Sequence, residues 1–446
     1  MSEPNVQVAI MSSKEINFEL YGSYKIGNIE RRFSGKCKAV YDGKSIVITS
    51  YDEKMTFAHS VMIHASDIRS ESFLLHDVVI GKDFHWEKKE KQRFVGSLKF
   101  LVEKGKLTAV NILPVEDYLM SVISSEMSAG NSIDFLKAHA IISRSWLITQ
   151  VESKKDIAKP SSKKLHKETE DEIIKWYDKE DHVNYDVCAD DHCQRYQGIT
   201  KVYTDAVRRA IMETRGLVLM HKNKICDARY SKCCGGITET FENVWEPVPH
   251  AYLTDVVDYR FEPDDFNIDF ENEKNAEVWI RNKPAAYCNT TDKKLLSEIM
   301  IDFDRTTTDF YRWKVSYKQN ELAELIKEKS GIDFGDIIDL IPVKRGKSAR
   351  IVKLKIVGSK KTMLIGKELE IRKILSNSHL YSSAFVVDKE KIEDGIPQKF
   401  ILTGAGWGHG VGLCQIGAAV MSKSGYTFDE ILTHYFKGAT IRKIYQ

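Results

Sequence analysis

The fold is decided by the stretch Leu107-Thr-Ala-Val-Asn-Ile-Leu-Pro-Val-Glu-Asp-Tyr-Leu-Met-Ser-Val-Ile-Ser-Ser-Glu-Met127, which passes from a predicted strand into a predicted helix. Its first seven residues are an apolar run of strand length. The periodicity changes at Pro114, because proline suits the first turn of a helix. Glu116 and Asp117 are favourable beside the positive N-terminal end of the helix dipole. A second helix is predicted over 132–150, with Ser132 as its N-cap.

The rest of the chain mixes strands and helices. Residues 1–110 form a β-rich N-terminal region, in which alternating or apolar runs are separated by Gly and Asp turns. The predicted strands outside the central stretch are Val6–Ile10, Ala39–Tyr41, Ser45–Thr49, Ser97–Val102, Ala349–Val357 and Phe385–Asp388, and a helix is predicted over Leu322–Glu328. Because strands and helices do not alternate as regular βαβ units, the sequence predicts an α+β fold.

The length of 446 residues indicates two or three packed units rather than one core. Two segments are predicted to be insertions. Residues 151–182 are dominated by charge, which is typical of a solvated loop and a surface helix, and residues 261–310 are polar. The predicted core is therefore divided into a first part, 111–260, and a second part, 311–446.

Composition excludes several classes of protein. The chain has 66 Lys+Arg and 64 Asp+Glu, a formal net charge of +2, which offers no global electrostatic footprint for nucleic acid. The charged fraction of 29% and the hydrophobic fraction of 42% are typical of a soluble globular protein, and no apolar run reaches the about 18 residues of a membrane span. Met1-Ser-Glu-Pro-Asn5 lacks the pattern of a secretory signal, so either the protein stays inside the cell or a leader was removed.

Glu126 is a carboxylate at an unexpected position of the first helix. Leu119, Val122 and Ile123 form an apolar stripe, and Glu126 falls on the same stripe one turn further on. We expect it on the buried face or at its lip, where desolvation without a cationic partner raises the pKa of a carboxyl and makes it a proton donor. The alternative is a helix-end glutamate that points to water.

The tract Gly404-Ala-Gly-Trp-Gly-His-Gly-Val-Gly-Leu-Cys-Gln-Ile-Gly417 has alternate glycines, which allow a ligand to approach the backbone closely. A dinucleotide loop is disfavoured, because Trp407 and His409 are too large for a phosphate cradle and too little chain follows for a nucleotide domain. A saccharide or peptide groove fits better, with Trp407 for stacking and His409 and Gln415 as polar contacts. A glycine-rich turn with packed aromatic side chains, or a thiol nucleophile formed by Cys414 and His409, remain alternatives.

Eight cysteines are too few for a disulfide scaffold, so local spacing has to indicate their roles. Cys188 and Cys193 bracket His192, and His182 lies six residues before Cys188. Thiolate and imidazole ligands at this density suit tetrahedral zinc, with a Cys188–Cys193 disulfide or buried thiols as alternatives. The vicinal pair Cys233-Cys234 precedes Gly235-Gly236, which indicates a tight turn near a site and side chains used for packing.

Several of these motifs together resemble the SpoIID/LytB family. They are the stretch Asn111–Met127, Phe135-Leu-Lys-Ala-His-Ala-Ile-Ile-Ser-Arg-Ser-Trp146, Cys234-Gly-Gly-Ile-Thr-Glu239 with Asn243-Val-Trp245, Gly406-Trp-Gly-His-Gly-Val-Gly-Leu-Cys-Gln-Ile-Gly-Ala418 and His434-Tyr-Phe-Lys-Gly-Ala-Thr-Ile441. The resemblance covers most of the chain from about residue 90 onward, apart from the two predicted insertions.

The resemblance implies a SpoIID-like core and a protein that acts on bacterial peptidoglycan. Catalytic members are lytic transglycosylases whose acid is the Glu of Ser-Glu-Met, here Glu126, and other members enhance a cell-wall amidase without cutting glycan. A Cys/His zinc site of the family falls on His182, Cys188, His192 and Cys193, where we expect a structural zinc ion. The predicted contacts with the glycan strand are Arg144, Gly235, Gly236, Thr238, Trp407, His409, Gly410 and Gln415. Such a substrate implies the periplasm or the cell wall, although no signal peptide is visible.

Overall fold

The first half of the chain is mainly strand. The computed structural model of the protein describes residues 2–51, 53–81, 87–153, 166–176, 182–190, 192–200, 204–259, 268–301 and 307–446. The first ten strands are β1 (Asn5–Ser13), β2 (Glu15–Ile26), β3 (Arg32–Tyr41), β4 (Ile46–Ser50), β5 (Glu53–Phe57), β6 (Ser60–His64), β7 (Ser72–Ile80), β8 (Lys88–Val95), β9 (Ser97–Glu103) and β10 (Lys106–Pro114). They are followed by α1 (Val115–Glu126), α2 (Ile133–Ser153), β11 (Lys167–Glu168), β12 (Glu172–Ile174), β13 (Val187–Cys188), α3 (Asp205–Glu213) and β14 (Leu217–His221).

In the second half of the chain, helices are interspersed with strands that form several smaller sheets. Its elements are β15 (Lys224–Ile225), β16 (Tyr230–Ser231), α4 (Glu273–Arg281), α5 (Lys293–Ile299), β17 (Arg312–Lys318), α6 (Gln319–Ser330), β18 (Ile337–Arg345), β19 (Ile351–Gly358), β20 (Thr362–Gly366), α7 (Glu368–Ile374), β21 (Phe385–Glu393), β22 (Ile396–Ala405), β23 (Leu413–Cys414), α8 (Gln415–Lys423), α9 (Phe428–Tyr435) and β24 (Thr440–Lys443). The predicted α+β class is confirmed. No helix among the described residues combines the length and the apolar character that crossing a bilayer requires.

The chain divides into two compact units. Unit 1 consists of Met1–Lys155, Glu180–Val218 and Arg442–Gln446, and unit 2 of Asp156–Lys179 and Leu219–Ile441. Each unit is therefore assembled from segments that are distant in sequence.

Unit 1 is built on a large sheet. The described part of this sheet has the strand order β13-β1-β10-β9-β6-β2-β3-β4-β5, with β7 paired to β2 and β8 paired to β7. In β2 the buried Ile16, Phe18 and Leu20 alternate with more exposed residues, as expected of a strand with one face on a core. The antiparallel pair β1 and β10 leads directly into α1, so the sheet fixes where that helix begins.

Unit 2 contains two further sheets around one apolar cluster. The first has the order β11-β12-β20-β19-β18 and the second the order β17-β22-β21. Their shared core includes Leu322, Ile351, Phe385 and Phe400, all fully buried. The sheet β17-β22-β21 ends where the glycine tract begins, because β22 terminates at Ala405.

The predicted solvated insertion at 151–182 is wrong in one part. Much of this segment lies outside the described residues, but Glu172, Ile173 and Ile174 form the buried strand β12, parallel to β20. Glu172 is stabilised there by Lys353, whose Nζ lies 3.0 Å from its Oε1, and by Lys167. A strand of three residues inside a charged run is too short to produce a periodic signal.

The predicted polar insertion at 261–310 lies partly outside the described residues as well. Its described part includes α4 and α5, and Trp279 of α4 packs with Phe270 in a buried cluster of unit 2. This cluster also contains Ala405 at the end of β22, so α4 supports the start of the glycine tract.

Candidate functional site

Glu126 is the last residue of α1 and is half-buried. Leu119, Val122 and Ile123 of the same helix are fully buried, so the predicted apolar stripe packs on the core of unit 1. The backbone N–H of Arg195 donates a hydrogen bond to Oε1 of Glu126 over 2.8 Å. A backbone donor fixes the position of the carboxylate independently of the side chain at position 195.

The segment that carries this donor is itself anchored along α1. The N–H of Gln197 donates to Ser121 Oγ at 3.1 Å, and Tyr118 Oη donates to Gln194 Oε1 at 3.2 Å. The rings of Tyr118 and Tyr196 are stacked with their centroids 5.0 Å apart. Residues on both sides of Arg195 are therefore tied to the helix that presents Glu126.

The predicted metal ligands are brought together immediately before this segment. One ligand atom each from His182, Cys188, His192 and Cys193 lies within 4.8 Å of all the others. The parallel pairing of β13 with β1 positions Cys188. These residues form a Cys/His group that could hold a metal ion.

The donor set of this group fits tetrahedral coordination. His182 Nε2 and His192 Nδ1 lie 3.3 and 3.4 Å from Cys193 Sγ, and His192 Nδ1 lies 4.0 Å from Cys188 Sγ. Zn–S and Zn–N bonds of ordinary length would separate sulfur and nitrogen ligands by about 3.6 Å. Contacts with the Cys193 thiol and the two imidazoles lower the pKa of Cys188, which favours the thiolate that a metal requires.

Arg144 was predicted to contact the glycan, but it lies inside unit 1. Its side chain is fully buried, and its Nε and Nη2 donate to the two carboxylate oxygens of Glu116 at 3.0 and 2.6 Å. Its Nη1 donates to the carbonyl of Leu217 at 2.9 Å. The family motif around Arg144 thus encodes a buried ion pair between α1 and α2 rather than a surface contact.

The glycines of the glycine tract lie close to other groups of unit 2. Gly406, Gly408, Gly410 and Gly412 all have positive φ, between 74° and 92°. A Cβ at Gly410 would overlap the guanidinium of Arg350, and one at Gly412 the carbonyl of Arg229. The groups that approach these glycines closely belong to the protein itself, so the glycines permit the packing of the tract within unit 2.

Trp407 and His409 are half-buried. The indole of Trp407 stacks on Tyr381, with centroids 4.1 Å apart and an interplanar angle of 26°. Nδ1 of His409 accepts a hydrogen bond from the N–H of Val411 at 3.0 Å, which places the ring proton of the neutral imidazole on Nε2. Desolvation and the charge of Arg229 hold the pKa of His409 well below its usual range, so the ring is neutral.

The remaining residues predicted to bind substrate are buried in unit 2. Thr238 Oγ1 donates to the carbonyl of Thr254 at 2.8 Å and accepts from the N–H of Val256 at 2.7 Å. The side chain of Gln415 is buried at the start of α8. Gly235, Gly236 and Gly410 are buried too, and Gly235 contacts the backbone of the glycine tract.

The structure does not support the thiol nucleophile formed by Cys414 and His409. Cys414 is fully buried, and its Sγ accepts a hydrogen bond from the N–H of Cys234 at 3.2 Å. The imidazole of His409 instead contacts Val411 and lies 4.7 Å from the ring of Trp245.

Sequence reasoning missed a cationic pocket in unit 2. Its volume is about 480 Å³. Nζ of Lys367 lies 3.5 Å from the centre of the Trp176 ring, and burial lowers the pKa of Lys367 to about 8. Glu172, which pairs with Lys167 and Lys353, and Glu242 also line the pocket, so part of its positive charge is neutralised by the protein itself. No sequence pattern signals this pocket, because its lysines are dispersed along the chain at Lys167, Lys344, Lys353 and Lys367.

The comparisons with known proteins agree with these motifs. A family model described as Stage II sporulation protein, SpoIID, matches residues 103–221, and a domain of unknown function, DUF8618, matches residues 239–412. Stage II sporulation protein D of Bacillus subtilis is 23% identical over 333 residues, which is 75% of this chain and 76% of that protein. The chain is thus similar to the SpoIID/LytB family, and the matched family model lies on the segment that carries α1 and α2.

Two other relatives show the breadth of the likeness. An uncharacterized protein of Brachyspira hyodysenteriae is 26% identical over 348 residues, which is 78% of this chain and 72% of that protein. An amidase enhancer of Bacillus subtilis is 24% identical over 339 residues, which is 72% of this chain but only 40% of the enhancer. The match therefore spans less than half of the enhancer.

Proposed function

We propose that the protein acts at the bacterial cell wall and cleaves the glycan strand of peptidoglycan as a lytic transglycosylase, on glycan that lacks stem peptides. The similarity to the SpoIID family model, to stage II sporulation protein D and to an amidase enhancer supports a role at the cell wall. The observation that carries the proposal is the position of Glu126, half-buried at the end of α1 with its carboxylate held by the N–H of Arg195. A fixed, partly desolvated carboxyl is suited to moving a proton.

In this reaction a single carboxyl is sufficient. Glu126 donates its proton to the glycosidic oxygen as the bond between that oxygen and the anomeric carbon breaks. The resulting carboxylate then takes the proton of the muramyl 6-hydroxyl, whose oxygen forms the new bond to the anomeric carbon. The product is a 1,6-anhydro sugar, no water is consumed, and Glu126 ends protonated as it began.

His409 and Trp407 are the proposed contacts with the sugar that have exposed surface. The neutral ring of His409, which is partly exposed, is the proposed polar contact with a sugar hydroxyl. Trp407 offers the edge of an indole whose face is stacked on Tyr381. Both roles are proposed from contacts within unit 2.

We assign a structural zinc ion to His182, Cys188, His192 and Cys193. Four protein ligands leave no open position for a reacting molecule, so the ion would supply structural stability. Cys193 precedes Arg195 by two residues. An ion bound to Cys193 and the hydrogen bonds of Gln194 and Gln197 to α1 would together hold the segment whose Arg195 N–H donates to Glu126.

The decisive experiment is to incubate purified protein with stem-free glycan and to detect anhydromuramyl ends by mass spectrometry. For Glu126→Gln we expect product release to fall by at least about 100-fold, because general acid–base catalysis contributes 10²–10⁴. Glu168→Gln, which alters an exposed carboxylate, is the matched control and retains activity. Unchanged product release by a folded Glu126→Gln variant would refute the assignment.

A second candidate function is a glycan-binding protein that stimulates a cell-wall amidase and cuts nothing. The 24% identity to an amidase enhancer favours it. In that case Glu126 would only hydrogen-bond a sugar. The wild-type protein would then be retained on cell walls and would accelerate an added amidase, while no anhydromuramyl ends appeared.

A further inference from the structure

Unit 2 contains a second group of metal-binding side chains, far from His182–Cys193 in sequence. Cys234, Asp258, Cys288 and Cys414 each place one ligand atom within 4.8 Å of all the others. All four side chains are at least 98% buried, as their exposed fractions are 2%, 0%, 1% and 0%. Neither the family motifs nor the proposed reaction gives this group a role.

The spacing of the sulfur atoms points to a single tetrahedral ion. Sγ of Cys234 lies 3.7 Å from Sγ of Cys288. Two thiolates bound to one zinc ion at 2.3 Å are separated by about 3.8 Å in a tetrahedron. A disulfide requires about 2.05 Å, so these sulfur atoms would have to approach by more than a full ångström. An iron–sulfur cluster would need room for several atoms between the thiolates.

The backbone around the group favours charged ligands. The N–H of Cys234 donates to Sγ of Cys414, and Cys414 lies at the N-cap position, beside the positive end of the α8 dipole. The hydrogen bond and the helix N-terminus both favour a thiolate at Cys414. Nη1 of the buried Arg350 donates to the carbonyl of Cys234 at 3.1 Å, so a fixed positive charge lies beside the site.

Apolar packing of buried thiols does not explain the presence of Asp258 in this group. It is fully buried, and among the described residues no lysine or arginine forms an ion pair with it. Its Oδ2 accepts from the N–H of Cys288 at 2.9 Å and its Oδ1 accepts from the hydroxyl of Tyr435. Buried metal-ligating carboxylates are oriented by such hydrogen bonds from the surrounding chain. A carboxylate enclosed by three thiols is explained by a cation that all four groups bind.

We propose that unit 2 binds one zinc ion through Cys234, Cys288, Cys414 and Asp258. Three thiolates and a carboxylate are soft and hard donors that zinc accepts together in closed, four-coordinate sites. The ion is structural, because every ligand is buried. It would join the Gly235–Gly236 turn, the segment before α5 and the start of α8, which lies at the end of the glycine tract.

The first test is metal analysis of the full chain purified without added zinc. We expect Cys288→Ser to contain one zinc ion per chain fewer than the wild type, and Asp258→Asn to bind zinc more weakly. Cys226→Ser is the matched control, because Cys226 is an equally buried thiol outside the group, and it retains the wild-type content. Equal zinc content in Cys288→Ser and the wild type would overturn the proposal.

A second measurement on the wild-type chain covers the case in which the variants fail to fold. Alkylation in the folded protein is expected to leave Cys234, Cys288 and Cys414 unmodified until a zinc chelator is added, whereas Cys226 stays unmodified throughout. A disulfide between any two of the three residues in zinc-free protein would exclude the site. If Asp258→Asn retained zinc and Cys233→Ser lost it, the fourth ligand would be Cys233 and not Asp258. That result would overturn the proposed ligand set.

Discussion

At the scale of single residues, the ion pair of Arg144 and Glu116 shows how a buried charge is accommodated. Glu116 Oε1 accepts from Arg144 Nε at 3.0 Å, from the N–H of Gly216 at 3.2 Å and from the hydroxyl of Tyr445 at 2.7 Å. Its Oε2 accepts from Arg144 Nη2 at 2.6 Å. Since both side chains are buried, the charge of each is compensated by the other and not by water.

We therefore predict that Arg144→Met destabilises the protein by about 3–5 kcal/mol, because it leaves an uncompensated charge on Glu116. The measurement is urea unfolding of the full chain. In the double variant Arg144→Met/Glu116→Leu, both charges are removed and most of the loss should be recovered. A cost for the double variant as large as that of the single one would contradict this reasoning.

At the scale of elements, the glycine tract is shaped by both backbone conformation and space. Gly410 has φ of +80° and lies against the guanidinium of Arg350. Gly425, after α8, has φ of +94°, but a Cβ there would meet nothing within 4 Å. The two positions separate the cost of a left-handed backbone from the cost of a steric overlap.

For Gly425→Ala we predict a loss of about 1–2 kcal/mol, the cost of placing a Cβ in a left-handed conformation. For Gly410→Ala we predict a further loss of about 1–3 kcal/mol, because Arg350 would have to move from Gly408 and Cys234. Chemical unfolding of both variants provides the comparison. If both variants lost the same unfolding free energy, the displacement of Arg350 by the new Cβ would cost nothing.

Which elements the sequence predicts depends on how local their signals are. The helix after Pro114 and the helix over 132–150 correspond to α1 and α2, because their periodicity is contained within each element. The three-residue strand β12 was missed, since its stability comes from β20, almost two hundred residues away.

The same distinction separates the two cysteine groups. His182, Cys188, His192 and Cys193 lie within twelve residues, so their spacing alone suggested metal binding. Cys234, Asp258, Cys288 and Cys414 are spread over 181 residues and meet only through the fold of unit 2. The burial of Arg144 and Thr238 could not be predicted for a related reason, because a motif identifies a residue without showing which way its side chain points.

At the scale of the whole molecule, the chain passes between the two units four times. Residues 442–446 return to unit 1, where Tyr445 is 3% exposed and its hydroxyl donates to Glu116. The N–H of Ile444 donates to the carbonyl of Gly216 at 2.9 Å. Unit 1 is therefore incomplete without a segment that follows all of unit 2 in sequence.

Deletion of residues 442–446 is predicted to destabilise unit 1 by about 3–5 kcal/mol, as expected for the loss of a large buried side chain. Tyr445→Phe, which removes only the hydroxyl donated to Glu116, should cost about 1–3 kcal/mol. Hydrogen exchange provides the measurement: amides of α1 and α2 lose protection, whereas those of α6 in unit 2 serve as the internal reference. Equal loss of protection in α6 would contradict a local effect.

The return of residues 442–446 also sets an order of events during translation. The ribosome releases the N-terminal sheet, α1 and α2 long before Tyr445 exists, so for most of synthesis the carboxylate of Glu116 lacks one of its donors. All of Leu219–Ile441 is made in that interval. Unit 1, which is begun earliest, is therefore closed only after almost all of unit 2 has been synthesised.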